Sequence, residues 1–561
     1  MADVEVTTEG HSLALRPDRN QAEASSWRSS VPARSDAGHS STSRDSRPAH
    51  LSADLHREDP WQPIVLSLDG GGIRGLSSLY ILQHLMQKVM IEEERQERES
   101  VPNELDALAA SSSNQSHSAA RERSASDQHQ DLRPCHYFDF MIGTSTGGLI
   151  AVLLGRLRLD IDTCIRIYEQ IGTYIFGSRR WWGLLTKYDH RRMKRAIKKV
   201  LQVYCEEHAQ NRQCRGDDLL RQYDFSHHDG PYKNHSCKVA LMSIREGDRR
   251  HHTQDKQYLF RSYDHVKAPP EQYNRSNDLE LNPGTVQDNA TTIWEACRAT
   301  SAAPLYFNKM TIRGVRYMDG GVGANNPAGY ALNEAQQMTS RGGKADSNRK
   351  PAALISVGTG HKDPQSRFRN IFDIITWARK RITDTEEAHI NTEGRCKELN
   401  VPYCRFDVQE GLSKMKLDEC RQKKAKKVKK DEKGKMAVNG DTAVKANGDT
   451  TGTASPKAGH ATAGKPLFNT WQPDRYEYVT YKRIKEDTIK YCQNKGGSHD
   501  SPVDVDAELT KAAQLLVYYR RRREELTPEA WTRFRDHPYT RITSVQRNAN
   551  SEAAVATEAT M

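Results

Sequence analysis

The sequence predicts an α/β layered fold. Short apolar runs of strand length alternate with stretches of helical period, two of those runs end in glycine-rich turns that open helices, and the polar residues gather into separate stretches. The chain has 561 residues, of which 36% are hydrophobic, and a mean hydropathy of −0.83. At ~150 residues per domain that length would allow three or four domains. The low hydrophobic share instead places part of the chain outside any core.

Residues 1–60 are rich in Ser, Arg, Asp and His without hydrophobic period, and read as a disordered arm. Residues 61–360 read as one catalytic domain. Its first strand is Ile64-Val65-Leu66-Ser67-Leu68, an apolar run that ends in glycines. After Gly75, Leu79, Leu82, Leu85, Met86, Val89 and Met90 fall at helical spacing. Residues 92–134 are polar again and read as a surface insertion, which loop-closure entropy tolerates at ~0.6 kcal/mol per doubling of length. A second strand is predicted at 137–142 and a helix at 146–154. Further strands are expected at 237–242, 257–263 and 353–357, and helices at 164–174, 191–204 and 294–300.

Residues 361–411 read as an extension that packs on the catalytic domain. Residues 412–467 read as a basic low-complexity linker, with a strongly cationic run at 421–430. Residues 468–545 form a C-terminal helical segment, and 546–561 a disordered tail. Within that segment the helix expected at 506–525 ends in four arginines, 520–523, which suit the negative end of a helix dipole.

No run reaches the ~20 apolar residues of a membrane-spanning helix, and the N-terminus MADVEVTTEG has neither a basic start nor an apolar segment. The expectation is a cytoplasmic protein, not secreted. The ten cysteines are sparse and contain no CxxC pair, so they read as reduced thiols without disulfides or structural zinc. The net charge of +11 suits either an anionic surface or solvated tails. No nucleic-acid partner is expected, because the basic residues sit mainly in low-complexity sequence.

Three motifs carry chemistry. The first is Asp69-Gly70-Gly71-Gly72-Ile73-Arg74-Gly75, between strand and helix. Its backbone N–H groups and the helix start stabilise an anion, either a nucleotide phosphate or the oxyanion of acyl transfer. The GxGxxG spacing alone would also fit a dinucleotide site. The second, Gly143-Thr144-Ser145-Thr146-Gly147, follows a buried strand and opens a helix, the context of a nucleophile elbow. The third is Met318-Asp319-Gly320-Gly321, followed by Asn325-Asn326-Pro327, which in isolation reads as a turn.

Taken together and in this order, the motifs resemble the patatin-like phospholipase family from about Ile64 to Gly360. Two longer blocks share the resemblance, Tyr137-Phe-Asp-Phe-Met-Ile-Gly-Thr-Ser-Thr-Gly-Gly148 and Ala296-Cys-Arg-Ala-Thr-Ser-Ala-Ala-Pro-Leu-Tyr-Phe307. The resemblance implies a three-layer α/β/α fold with a mainly parallel central sheet. It also implies a Ser–Asp dyad of Ser145 and Asp319, with an oxyanion hole at Gly70, Gly71, Gly72 and Arg74. The implied activity is hydrolysis of lipid carboxylic esters, of phospholipids or related glycerolipids. Transfer of the acyl group to another lipid alcohol would use the same dyad. A non-catalytic lipid-binding scaffold and a nucleotide-binding protein are the readings from other classes. The GK[ST] ending of a phosphate-binding loop is absent, which argues against the last.

A serine hydroxyl needs a neighbour to take its proton. Asp319 serves as that base if a dry pocket lifts its pKa from the ordinary ~3.9. No cofactor or metal is implied: the chain has no HExxH, EF-hand loop or cysteine–histidine cluster. Among the 21 histidines, the pairs His227-His228 and His251-His252 lie in polar sequence and read as solvated. The implied partner is a lipid substrate at a membrane surface. Arg179-Arg180-Trp181-Trp182-Gly183-Leu184-Leu185 is a candidate for peripheral contact with an anionic membrane, with ordinary core packing as its other reading. The run 423–430 could serve as a membrane patch or a nuclear localisation signal, though a plain linker accounts for it.

Overall fold

The computed structural model describes residues 60–100, 132–177, 186–204, 215–221, 236–247, 254–263, 291–339, 350–360, 374–408, 410–424, 466–494 and 504–536. All belong to one compact unit, Asp59–Met561. The arm before Pro60, the Arg179–Leu185 segment, the two histidine pairs, most of the basic run and the tail lie outside the described residues.

β1 (Ile64–Leu68) is buried along its whole length. Its side chains alternate between two apolar clusters: Ile64, Leu66 and Leu68 join one, Val65 the other. A strand apolar on both faces belongs inside a layered sheet. β1 pairs in parallel with β2 (Phe140–Thr144) on one side and β7 (Ala353–Val357) on the other. β3 (Lys238–Arg245) continues beyond β2, and β8 (Tyr403–Phe406) beyond β7, both in parallel. Three antiparallel strands complete the sheet: β4 (Lys256–Arg261) and β6 (Val315–Asp319) pair with β3, and β5 (Met310–Ile312) with β6. The sheet is therefore mainly parallel, with helices on both faces.

α1 (Gly75–Ser100), α4 (Ile161–Phe176) and α5 (His190–Tyr204) contribute to the larger cluster. The short α2 (Pro134–Tyr137) precedes β2, and α3 (Thr146–Ala151) follows it, running into a π turn at Val152–Arg156. α6 (Ile293–Thr300) opens with a capping box between Thr292 and Glu295. α7 (Ala328–Thr339) and α8 (Ile374–Glu398) cover the opposite face, where Ala331, Leu332 and Cys396 join Val65 and Ile142. Beyond the sheet, β9 (Gln422–Lys424) and β10 (Tyr476–Tyr478) form a two-stranded ribbon. α9 (Val479–Cys492), α10 (Val505–Leu526) and α11 (Pro528–Arg535) follow.

Several expectations require correction. The stretch from residue 92 begins as helix, not as insertion, because α1 continues to Ser100. One of its acids is paired rather than solvated: Glu93 is buried and accepts from Arg520 at 2.6 Å, Arg521 at 2.7 Å and Tyr137 at 3.1 Å. The arginines at the end of α10 are thus ion-pair partners and not only dipole complements. Arg523 is fully buried, donates to Asp139 at 2.7 Å and to the Pro60 carbonyl at 2.9 Å, and so ties α10 to the entry of β1. The boundary at 360 does not end the main sheet, since β8 is one of its strands. The linker expected from 412 starts as packed structure. Leu412 and Met415 are buried, the Ile73 N–H donates to the Leu417 carbonyl at 2.7 Å, and buried Asp418 pairs with Lys187 and accepts from Tyr188 at 2.7 Å. Among the described residues no helix is long and apolar enough to cross a membrane.

Candidate active site

β2 delivers the chain to Ser145, where the backbone turns with φ 53° and ψ −120°. Few non-glycine residues hold such angles, and they cluster where structure enforces them. Glycines on both sides make the turn possible. A Cβ on Gly143 would lie 2.2 Å from the Gly147 carbonyl, and one on Gly147 would lie 2.4 Å from the Leu68 oxygen. The Ser145 N–H donates to Thr300 Oγ1 at 2.9 Å, and that hydroxyl donates onward to the Met242 carbonyl. The elbow is therefore anchored from α6 and β3.

β3 also brings in the carboxylate. Met242 stands opposite Thr144 in the parallel pair, and the next residue, Ser243, stands opposite Asp319 in the antiparallel pair. Asp319 lies at the end of β6, 174 residues from Ser145, and its Oδ2 accepts from Ser145 Oγ at 2.7 Å. Its Oδ1 accepts from the Gly321 N–H at 2.7 Å. Gly320 lies against β3, where a Cβ would meet the Met242 carbonyl at 2.4 Å.

Asp319 is 4% exposed. Burial pushes its pKa up to about 6, against the opposing pull of the Ser145 hydroxyl, the Gly321 amide and the Arg298 charge. Arg298 is itself buried, and burial lowers its pKa to about 10, with Asp319 acting in the other direction. Its Nη2 donates to the Asn308 carbonyl, so its effect on Asp319 is exerted through space.

The glycine turn packs against the elbow: a Cβ on Gly70 would lie 3.2 Å from Ser145 Cβ. Gly70 N–H donates to the Asn325 carbonyl at 3.2 Å, Gly71 N–H to Thr146 Oγ1 at 3.2 Å, and Arg74 N–H to the Gly71 carbonyl at 3.1 Å. The Gly72 N–H has no such partner among the described residues, while its carbonyl accepts from Tyr168 Oη at 2.5 Å. At Gly75 a Cβ would collide with the same Tyr168 hydroxyl at 2.3 Å. Asp69 is held by Arg405 through contacts of 3.0 and 2.6 Å. The buried Arg74 guanidinium has no hydrogen-bond partner at Nε or Nη1 among the described residues. Burial lowers its pKa, partly countered by Asp407 and Tyr306.

These groups share a cavity of about 340 Å³, lined by Gly70, Gly71, Gly72, Arg74, Ser145 and Asp319 and by apolar side chains that include Phe176, Met193, Leu305 and Leu417. Every motif residue read from the sequence lies at this centre or directly supports it. Sequence reasoning did not assign roles to Arg298, Thr300, Tyr168 or Arg405. The first two stand inside the block quoted before Asp319, so an ordered block was the available signal. The last two are long-range partners with no local pattern. Among the described residues no cluster of His, Cys, Asp and Glu could hold a metal ion.

Residues 66–332 match the family model described as patatin-like phospholipase. The chain is 23% identical over 344 residues to calcium-independent phospholipase A2-gamma of Oryctolagus cuniculus, covering 59% of this chain and 33% of the relative. It is 23% identical over 404 residues to phospholipase A I of Arabidopsis thaliana, covering 65% of this chain and 26% of the relative. It is 23% identical over 376 residues to patatin-like phospholipase 1 of Plasmodium falciparum, covering 62% of this chain and 44% of the relative. The chain thus spans between about a quarter and under half the length of these three relatives.

Proposed function

We propose, from the premise that residues 66–332 form a patatin-like phospholipase domain, that this protein is a lipid acyl hydrolase acting through Ser145 and Asp319. The observation that carries the reading is the 2.7 Å hydrogen bond from a strained serine to a buried carboxylate. Asp319 Oδ2 takes the hydroxyl proton as Ser145 Oγ attacks the ester carbonyl carbon. The carbonyl oxygen becomes an oxyanion, for which the free Gly72 N–H and the positive field of Arg74 are the available partners. The intermediate collapses to acyl-Ser145, and Asp319 returns the proton to the leaving alcohol. A water then gives its proton to Asp319 and attacks the acyl carbon. Collapse releases the fatty acid and restores the serine hydroxyl.

The apolar lining suits an acyl chain, and the buried cation Arg74 suits an anionic substrate over a neutral one. Phospholipids and related glycerolipids are therefore the substrate class. Contact with a membrane surface belongs to the same reading. Leu305 and Leu417 line the cavity yet are 47% and 36% exposed, and Leu305 holds a φ of 69°, rare for a bulky residue. They form an apolar lip where a lipid would enter.

The test is hydrolysis of a panel of phospholipids, lysophospholipids, galactolipids and triacylglycerols by the full chain, Ser145→Ala and Asp319→Asn. The reading expects phospholipid turnover by the parent and its loss in both variants, with the fold unchanged by circular dichroism. Full activity in Ser145→Ala would remove the nucleophile assignment. Acyl capture by an added lipid alcohol, in place of water, would make the protein a transacylase on the same dyad.

A further inference from the structure

α5 divides its surface between two environments. Met193, Ala196, Ile197, Val200 and Leu201 face the core, and Met193 also lines the catalytic cavity. The remaining surface carries six lysines and arginines from Arg191 to Lys199, and the helix contains no acid. Several of these cations are already engaged. Arg192 donates twice to the Tyr174 carbonyl, at 3.0 and 2.6 Å. Lys194 sits 3.9 Å from the centre of the Trp294 ring. Lys198 pairs with Asp217 at 2.7 Å.

Others are not. Arg195, Lys199 and the nearby Arg215 line, with Lys198, a second cavity of about 590 Å³. Lys199 and Arg215 have no hydrogen-bond or ion-pair partner among the described residues. Arg195 donates to the Arg191 carbonyl at 3.4 Å and reaches Asp189 at 3.8 Å, with its side chain 64% exposed, contacts of little strength. Among the described residues Asp217 is the one carboxylate in the lining, and it already accepts from both Lys198 and Trp294 Nε1. Among the described residues, four cations therefore line the site with a single, occupied acid.

This excess is built into the fold. Gly216 holds φ 64°, and a Cβ there would lie 2.7 Å from the Lys198 carbonyl, so a glycine is what lets Arg215 sit against α5. An aromatic pair shares the lining, Tyr174 stacked on Phe468 with ring centroids 4.4 Å apart. Unpaired cations held together repel one another, and an anion with several acceptor oxygens relieves that repulsion.

We propose that this cavity is a second, non-catalytic site that binds a phosphomonoester. Such a group carries up to two charges and three strong acceptor oxygens, which matches a planar arginine fork beside lysine point charges. A phosphodiester or carboxylate offers one charge and satisfies the site less well. The phosphomonoester could belong to a lipid headgroup or to a soluble phosphate. The site does not depend on the Ser145 chemistry.

The experiment uses the full chain carrying Ser145→Ala, so that lipid is not consumed, with and without Lys199→Glu and Arg215→Glu together. Both residues are exposed, and matched melting curves verify the fold. One arm measures flotation with vesicles of phosphatidylcholine containing equal fractions of phosphatidic acid or phosphatidylserine. The other measures binding of glycerol 3-phosphate by calorimetry. Preference for phosphatidic acid over phosphatidylserine, reduced about tenfold or more by charge reversal as two charge-assisted contacts are lost, supports the site with a lipid headgroup as its ligand. Glycerol 3-phosphate binding that charge reversal abolishes, without vesicle discrimination, supports it with a soluble ligand. Equal binding of both charged vesicle types and no glycerol 3-phosphate binding, or no effect of charge reversal in either arm, would overturn it. Gly216→Val, which displaces Arg215 without changing charge, should mimic the double variant.

Discussion

Two buried carboxylates flank the glycine turn and receive opposite treatment. Asp69, 1% exposed, is gripped by both terminal nitrogens of Arg405 at 3.0 and 2.6 Å. Asp319, 4% exposed, receives a hydroxyl and one amide, while Arg298 acts on it only through space. The consequences appear in the pKa values. Burial works against the Arg405 charge, but Asp69 and Asp407 raise its pKa well above the usual value. Burial lifts Asp319 to about 6 because nothing fully compensates it. The carboxylate that shapes the turn is ion-paired, whereas the one proposed to accept a proton is left under-compensated.

The largest effect is expected at the reacting pair. Asp319→Asn should lower kcat/KM for ester hydrolysis by at least ~10⁴-fold, as losses within a catalytic unit do, whereas Asp69→Asn should act mainly through stability. Asp69→Asn leaves the buried Arg405 short of a charge partner, and unfolding in urea should show a loss of about 3–5 kcal/mol. Asp319→Asn should do the reverse. The folded pKa of about 6 lies above the unfolded value, so the folded state binds more protons between roughly pH 4 and 6, and stability falls as pH rises through that window. The cost is complete above pH ~6. Asp319→Asn should therefore be more stable than the parent at pH 8, by about 1–3 kcal/mol. The gain should disappear near pH 4, and a loss of stability at pH 8 would show that Asp319 is a structural acid like Asp69. The smallest effect concerns Arg298. Arg298→Met removes a charge that lowers the Asp319 pKa, so the acid limb of kcat/KM should move upward by less than about one pH unit. An unmoved limb would make Arg298 a packing residue only.

The parts legible in the sequence were those with local signatures. Ile64–Leu68 has the length and apolar run of a buried strand, and Gly143 to Gly147 surround a serine at a strand–helix junction. Asp319 was visible only through its ordered motif, because β3 brings it across 174 residues of sequence. What could not be read were charges paired over long distances. Glu93 looks like solvated polar sequence until Arg520, 427 residues away, buries it. Arg520 to Arg523 look like a helix-end cluster for the same reason. The 412–418 stretch is polar in composition, yet Leu412 and Asp418 are buried and the Leu417 carbonyl pins the glycine turn.

The central claim is that Ser145 is activated directly by the Asp319 carboxylate. The most direct measurement is the pH dependence of phosphonylation by a fluorophosphonate, with the modified residue located by peptide mass. A single adduct is expected at Ser145, forming at a rate that rises through pH ~6 to a plateau as Asp319 loses its proton, with little adduct in Asp319→Asn. Modification at another residue, or equally fast labelling of Ser145 in Asp319→Asn, would contradict it.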